Sequence, residues 1–151
     1  LMANKTYEIK ASILIEATPA KVHEVLNDFA RFEDWSPFLA MDKSVKATIS
    51  EKSFGPGAVY EYQGKRIGKG RMEIISSGPE RIRSTMTFFN KKTEVAKTEY
   101  ILEPEFEGTK VTWTLSGDRD LQGHLIGTLF LDKMMAKNFQ DGLKVLKAVI
   151  E

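Results

Sequence analysis

The feature that most constrains this chain is an alternation of apolar and polar residues that continues, with short interruptions, from residue 43 to residue 116. A period of two residues is typical of strands with one buried and one exposed face. Because the interruptions are short and rich in turn-forming residues, they predict six strands in an antiparallel meander. The interruptions are Gly55-Pro56-Gly57, Gln63-Gly64-Lys65, Ser77-Gly78-Pro79, Asn90-Lys91-Lys92 and Glu107-Gly108.

A further strand and the helices lie on either side of this region. Residues 7–15 alternate in the same way and predict a first strand. Thr18-Pro19, a capping residue followed by a first-turn proline, predicts a short helix. A second short helix or turn is predicted over residues 32–38, carrying Trp35 and ended by Pro37. Residues 121–150 contain no proline and predict one helix of about 45 Å.

These elements predict the architecture. A seven-stranded sheet must cover its apolar face, and the long helix is the only large element available to do so. One helix does not fill the space inside a curved sheet, and the short helices close one end of that space. The sequence therefore predicts an α+β fold in which a curved seven-stranded antiparallel sheet wraps around a long C-terminal helix, with an internal cavity.

Length and composition exclude several classes of protein. The 151 residues predict a single domain over residues 1–151, in which Leu1, ahead of Met2, is expected to be an artificial addition. Taken alone, the net charge of +1 points to no nucleic-acid or membrane partner. With no cysteine and only His23 and His124, no metal centre and no cofactor are predicted. The sequence lacks a long apolar span and a signal pattern, so we expect a cytoplasmic protein.

One set of motifs extends along nearly the whole chain. It consists of Ile15-x-Ala17-x-Pro19-x-x-Val22, Asp28, Trp35-x-Pro37, Gly57, Gly68-x-Gly70, Pro79, Gly108-Thr109-x-Val111-x-Trp113 and Phe139-x-x-Gly142-Leu143-x-x-Leu146-Lys147. In order and spacing these motifs resemble the helix-grip superfamily, which includes START lipid-transfer domains, the birch-pollen allergen group and polyketide cyclases. The bacterial polyketide cyclase/dehydrase-like branch matches best, although His23 stands where many relatives have an aromatic residue.

The resemblance implies a helix-grip fold with a cavity for a hydrophobic or amphipathic small molecule. Fatty acids, isoprenoids and aromatic polyketide-like compounds are the ligand classes that it suggests. Membership of this superfamily does not imply an enzyme. Two alternatives stay open, which are a metal-independent cyclase or dehydratase and a protein-interaction module whose cavity is incidental.

Strand alternation assigns one face of the sheet to the interior. Beside aliphatic residues, that face carries three tyrosines, Ser84 and Thr98, whose hydroxyls need partners when buried. A mostly apolar space with a few polar groups is what a ligand site requires. The predicted ligand-binding residues from this face and the helices are Trp35, Tyr60, Tyr62, Met72, Ser84, Met86, Phe88, Thr98, Tyr100, Trp113, Leu125, Thr128, Asp132 and Met135.

Asp132 is the only charged residue on the apolar stripe of the predicted long helix. One hypothesis places Asp132 in the cavity with Thr128 and His124. In the other, Asp132 lies in the core and its carboxylate accepts a hydrogen bond from a backbone group or a tyrosine hydroxyl. In an enzyme, Asp132, Tyr100 or His124 would serve as acid or base. The absence of a clear second carboxylate makes catalysis the less favoured alternative.

Charged and apolar residues outside the cavity predict its surroundings. The cations expected to rim the mouth, and to favour an acidic head group, are Lys65, Arg66, Lys91, Lys92 and Arg119. Ile126, Phe130 and Met134 fall opposite the buried stripe of the helix and predict a homodimer or membrane contact. The exterior face of the sheet carries both signs of charge, which favours a solvated surface over an RNA site.

Overall fold

The computed structural model describes residues 5–89, 91–119 and 129–151, which form a seven-stranded antiparallel sheet and its helices. The strands are β1 (Lys5–Ile15), β2 (Lys46–Ile49), β3 (Val59–Gly64), β4 (Gly68–Gly78), β5 (Arg81–Phe89), β6 (Thr93–Glu105) and β7 (Gly108–Arg119). Their order across the sheet is β1-β7-β6-β5-β4-β3-β2, so β2 to β7 form the predicted meander and β1 pairs beside β7. The α+β class and the seven-stranded antiparallel sheet are confirmed.

The described helices are α1 (Pro19–Leu26), α2 (Phe29–Phe32), α3 (Phe38–Met41) and α4 (Leu129–Ile150). Thr18 begins α1 as predicted, because its hydroxyl oxygen accepts a hydrogen bond from the Lys21 N–H at 3.3 Å. The C-terminal helix is confirmed over the range of α4. The remainder of the long helix predicted from residue 121 lies outside the described residues.

The segment between α1 and β2 differs from the single helix or turn predicted over residues 32–38. Asp28 begins α2 earlier in the chain, because its carboxylate accepts a hydrogen bond from the Ala30 N–H at 2.9 Å. Trp35 lies in the turn between α2 and α3, and Pro37 precedes α3 instead of ending a helix. The φ of Pro37 is −74°, which suits the start of a helix as well as its end.

The buried face of α4 holds the helix against the sheet. Phe139, Leu143, Leu146 and Ile150 recur at three- and four-residue spacing and are all buried. The Phe139 ring stacks on the Trp113 ring of β7, with centroids 3.8 Å apart and planes 6° apart.

Two further contacts hold the same helix. The Gln140 Nε2 atom donates a hydrogen bond to the Ser12 carbonyl oxygen at 3.0 Å, which joins α4 to the edge strand β1. Gly142 lies so close to Pro37 that a Cβ atom there would come within 3.0 Å of the proline Cδ. The C-terminal part of α4 is therefore held tightly by both the sheet and the short-helix segment.

Strand alternation sorts the side chains of the sheet as predicted. Most inward residues of β3 to β7 are buried, and Phe88 of β5 and its partner Glu94 of β6 are half-buried. The outward face carries ion pairs: Arg71 with Glu61 and Glu73, and Glu99 with Arg81 and Arg83. These guanidinium groups are neutralised by carboxylates of the same face, which agrees with a solvated mixed-charge surface.

We expect Leu143→Ala to lower the free energy of unfolding by about 2–5 kcal/mol, because it leaves a void between α4 and the sheet. Urea unfolding followed by circular dichroism measures this loss. Val145→Ala, two residues away at a side chain that is 45% exposed, is the matched control and should cost less than about 1 kcal/mol. Equal losses in the two variants would contradict this packing.

Candidate ligand-binding cavity

A cavity of about 220 Å³ lies between the inner face of the sheet, α3 and the early part of α4. Arg66, which is exposed, marks the end of the cavity that reaches solvent, near the loop between β3 and β4. The described lining residues are Phe38, Met41, Tyr62, Arg66, Ile67, Met72, Met86, Phe88, Thr98, Trp113, Leu115, Met135 and Phe139.

The lining is mostly apolar and adaptable. Four of its described residues are methionines, namely Met41, Met72, Met86 and Met135. An unbranched thioether side chain changes rotamer easily and fits irregular shapes. The cavity wall can therefore change shape through rotamer changes of these methionines.

Thr98 is polar, but its hydroxyl is already engaged. It donates to the Thr114 carbonyl oxygen at 2.9 Å and accepts a hydrogen bond from the Trp113 Nε1–H at 3.0 Å. Together with the stack on Phe139, these bonds hold the Trp113 ring in one orientation. Thr98 thus positions a wall of the cavity instead of offering a free hydroxyl to a ligand.

Tyr62 supplies a second polar group. Its ring crosses directly over Gly70 of the neighbouring strand, where a Cβ atom would lie 2.3 Å from the hydroxyl oxygen. Burial, and to a smaller extent the nearby Tyr60, raise the pKa of Tyr62 well above its usual range. Like other tyrosine hydroxyls, that of Tyr62 is protonated at neutral pH and can donate a hydrogen bond. Close approach also explains the glycine at position 70.

Asp42, just after α3, holds the loop that carries Arg66. Its Oδ2 atom accepts hydrogen bonds from the backbone N–H groups of Arg66 at 2.7 Å and Ile67 at 3.0 Å. Its Oδ1 atom accepts from the N–H and the hydroxyl of Ser44, at 2.9 and 2.6 Å. The Ser44 hydroxyl oxygen in turn accepts from the Lys65 N–H at 2.8 Å. We call this arrangement the Asp42 clamp.

The clamp depends on charge and on close packing. The Ser44 hydroxyl, followed by the backbone N–H groups, holds the pKa of the Asp42 carboxyl well below its usual range. A Cβ atom at residue 64 would lie 2.3 Å from Asp42 Oδ2, so only glycine lets the loop come this near. An ionised carboxylate thus holds the loop that carries Arg66.

The structure brings together part of the predicted site. The predicted residues that line the cavity are Tyr62, Met72, Met86, Phe88, Thr98, Trp113 and Met135. Trp35, Tyr60, Ser84 and Tyr100 are buried but belong to the core outside the lining. His124, Leu125 and Thr128 lie outside the described residues.

Tyr100 and Trp35 form an aromatic cluster behind the cavity wall. Their ring centroids lie 5.7 and 5.3 Å, respectively, from that of Trp113. Burial raises the pKa of Tyr100 far above its usual range, so its hydroxyl stays protonated. These two side chains therefore pack against Trp113, which lines the cavity.

Asp132 is half-buried in the first turn of α4 and does not line the cavity. Burial first, and then the charges of Glu94, Asp132 and Asp118, raise the pKa of Tyr7. The charge of the Asp132 carboxylate is therefore felt by the hydroxyl of Tyr7 on β1.

Met134 is exposed, as predicted. Ile126 and the side chain of Phe130, which were predicted to share its face of the helix, lie outside what the structure describes.

Phe38, Met41 and Ile67 line the cavity without having been predicted to do so. The first two lie in the α3 segment, which the sequence did not predict as a helix. Ile67 lines the cavity from the loop that the Asp42 clamp holds. The local Asp42-x-Ser44 turn is the part of this clamp that can be recognised in the sequence. Arg66 was predicted as a rim cation and does line the cavity, whereas the exposed Lys65, Lys91 and Lys92 do not.

Within the described residues, no group of three or more histidine, aspartate or glutamate side chains is arranged to hold a metal ion. No helix in the described part of the chain is both long and apolar enough to cross a membrane.

Comparison with known families agrees with this geometry. The family described as polyketide cyclase/dehydrase and lipid transport matches residues 6–151. The chain belongs to this family. The resemblance drawn from the motifs is thereby confirmed, and the match supports a ligand-binding or cyclase-type role in general terms. No curated protein matches the chain.

Solved structures share the helix-grip fold at low sequence identity. Protein CV1439 from Chromobacterium violaceum is 20% identical with a TM-score of 0.69, and the alignment covers 95% of this chain and 96% of that one. KanY is 14% identical with a TM-score of 0.71, over 97% and 98% of the two chains. Ara h 8.0201 is 15% identical with a TM-score of 0.67, also over 97% and 98%.

We expect Asp42→Asn to lower the melting temperature at neutral pH, because the amide replaces the ionised acceptor of the clamp. The low pKa of Asp42 means that its charge stabilises the folded state above about pH 4, and that this contribution is lost as the pH falls below that value. Melting curves from pH 7 down to about pH 3 should therefore fall less steeply for the variant than for the wild type.

The matched control is Asp34→Asn, which removes an exposed carboxylate paired with the exposed Arg31. It should leave both the melting temperature and its pH dependence nearly unchanged. If Asp42→Asn behaves in the same way, the clamp does not hold the loop.

Proposed function

We propose that this protein binds a small amphipathic molecule, with the apolar part in the cavity and an acidic head group at Arg66. The observation that carries the proposal is the composition of the lining. Methionine and aromatic side chains surround most of the space, and Arg66 is the one charged residue among the described lining residues. Most ligand pockets share this pattern of apolar walls with few polar groups.

The state of Arg66 supports an anionic head group. Its guanidinium forms no ion pair with any residue that the structure describes, whereas Arg71, Arg81 and Arg83 of the outer face all have glutamate partners. A guanidinium group matches the planar geometry of a carboxylate and can bind it through two parallel hydrogen bonds. The clamp holds the backbone of Arg66 in place for this contact.

Cavity size and the Tyr62 hydroxyl narrow the ligand class. The volume of about 220 Å³ is below the roughly 300–1,000 Å³ that encloses drug-sized ligands. This favours a medium-chain fatty acid or a compact aromatic acid, and a longer chain would have to displace methionine side chains. Tyr62, which stays protonated, can donate a hydrogen bond to a ligand oxygen.

Binding is favoured over catalysis by the same lining. A cyclase or dehydratase needs both a proton donor and a proton acceptor next to the reacting atoms. Tyr62 offers a donor, but none of the described lining residues carries a carboxylate or an imidazole. Asp132 and Tyr100, the candidates in the described part of the chain, lie outside the lining.

We expect decanoate to quench or shift the fluorescence of Trp113, which lines the cavity, with a micromolar dissociation constant, about −8 kcal/mol. Arg66→Gln should weaken decanoate binding about tenfold, or ~1.4 kcal/mol, because the charge-assisted contact is lost. Binding of decanol, which has no charge, should be unchanged in this variant.

Lys65→Gln is the matched control, since it removes a neighbouring cation that does not line the cavity. It should leave decanoate affinity nearly unchanged. No fluorescence response to decanoate, decanol or compact aromatic acids would overturn the proposed binding function. Equal losses of decanoate affinity in Arg66→Gln and Lys65→Gln would overturn only the assignment of Arg66 as the head-group contact.

A further inference from the structure

Two hairpin tips at the cavity's solvent end form a distinct surface. In a meander, the β3–β4 and β5–β6 links lie at one end of the sheet and the β4–β5 and β6–β7 links at the other. Lys65 lies in the first link and Lys91 in the second, and Lys69 follows on β4; all three are exposed. With Phe89 and Val95, these residues make up what we call the tip surface.

The lysines of the tip surface differ from the arginines on the outer face of the sheet. Lys65, Lys69 and Lys91 form no ion pair with any residue that the structure describes. The outer-face arginines, in contrast, are neutralised by glutamates. The tip surface therefore has an uncompensated positive charge, although the net charge of the whole chain is only +1.

Apolar side chains are exposed among these lysines. Phe89 is 41% exposed and Val95 is 63% exposed, on the outward face of the paired strands β5 and β6. The Lys69 Nζ atom lies 5.6 Å from the centroid of the Phe89 ring. Exposed apolar side chains surrounded by lysines are typical of surfaces that touch the interface of an anionic bilayer.

The opposite end of the sheet has the reverse charge. The tip of the β6–β7 hairpin is Glu105-Phe106-Glu107, and its phenylalanine is fully exposed. An anionic bilayer would repel these carboxylates, so only one end of the sheet suits such a surface. The end that suits it is the end where Arg66 opens the cavity to solvent.

We propose that the tip surface docks on an anionic lipid bilayer and presents the cavity opening to it. The lysines contact the head groups, and Phe89 and Val95 enter the interface between head groups and acyl chains. This docking goes beyond the proposed ligand binding, because it needs no ligand in the cavity. The two proposals can therefore fail separately.

The experiment is co-sedimentation of the ligand-free full chain with vesicles. Vesicles of phosphatidylcholine with phosphatidylglycerol should bind the protein, and vesicles of phosphatidylcholine alone should not. High salt should weaken the binding, because it shortens the Debye length. The double variant Lys65→Glu with Lys91→Glu should bind the anionic vesicles at least about tenfold more weakly. Phe89→Ser should also weaken binding, whereas Phe106→Ser at the other end should not.

The charge-matched control is Lys110→Glu with Lys144→Glu, at exposed lysines away from the tip surface. Both double variants change the net charge from +1 to −3, since each substitution removes two units. Loss of vesicle binding in the tip variant alone supports the proposal. Equal loss in both variants, or no binding to anionic vesicles, overturns it. Binding to poly-glutamate but not to vesicles also overturns it, and would assign the surface to an acidic protein.

Discussion

The stack of Trp113 on Phe139 is the contact on which the rest of the structure depends. It joins β7 to α4 at a centroid distance of 3.8 Å, and the bond from Trp113 to Thr98 extends the connection to β6. A planar stack between two buried rings contributes both apolar burial and orientation. Trp113 and Phe139 also line the cavity, so the contact that closes the core is a wall of the site.

Much of this arrangement follows from patterns that are local in the chain. Strand alternation depends only on neighbouring residues, and it was sufficient to predict that Tyr62, Met72, Met86, Thr98 and Trp113 face inward. The turn segments predicted the order and direction of the strands, and the motifs predicted the family. A curved sheet closed by one helix leaves space, which is why a cavity could be predicted before its lining was known.

Other parts of the site depend on contacts between residues that are distant in the chain. Alternation predicts that Tyr60 and Tyr100 are buried, but it cannot tell whether a ring faces the empty space or fills the core beside it. The Asp42 clamp joins residues 24 and 25 positions apart, through backbone N–H groups that every residue type has. Pro37 is compatible with both ends of a helix, so α3 and its contribution to the lining were missed.

The Asp42 clamp has a consequence for how a ligand would be recognised. The hydrogen bonds of its carboxylate order the loop between β3 and β4 during folding, so the conformational entropy of this loop is lost at that stage. The loop is then already ordered when a ligand binds, so the affinity is not reduced by the entropy cost of ordering it. Association is expected to resemble entry into a preformed opening, with an on-rate limited by encounter and by passage between the methionine side chains rather than by loop closure.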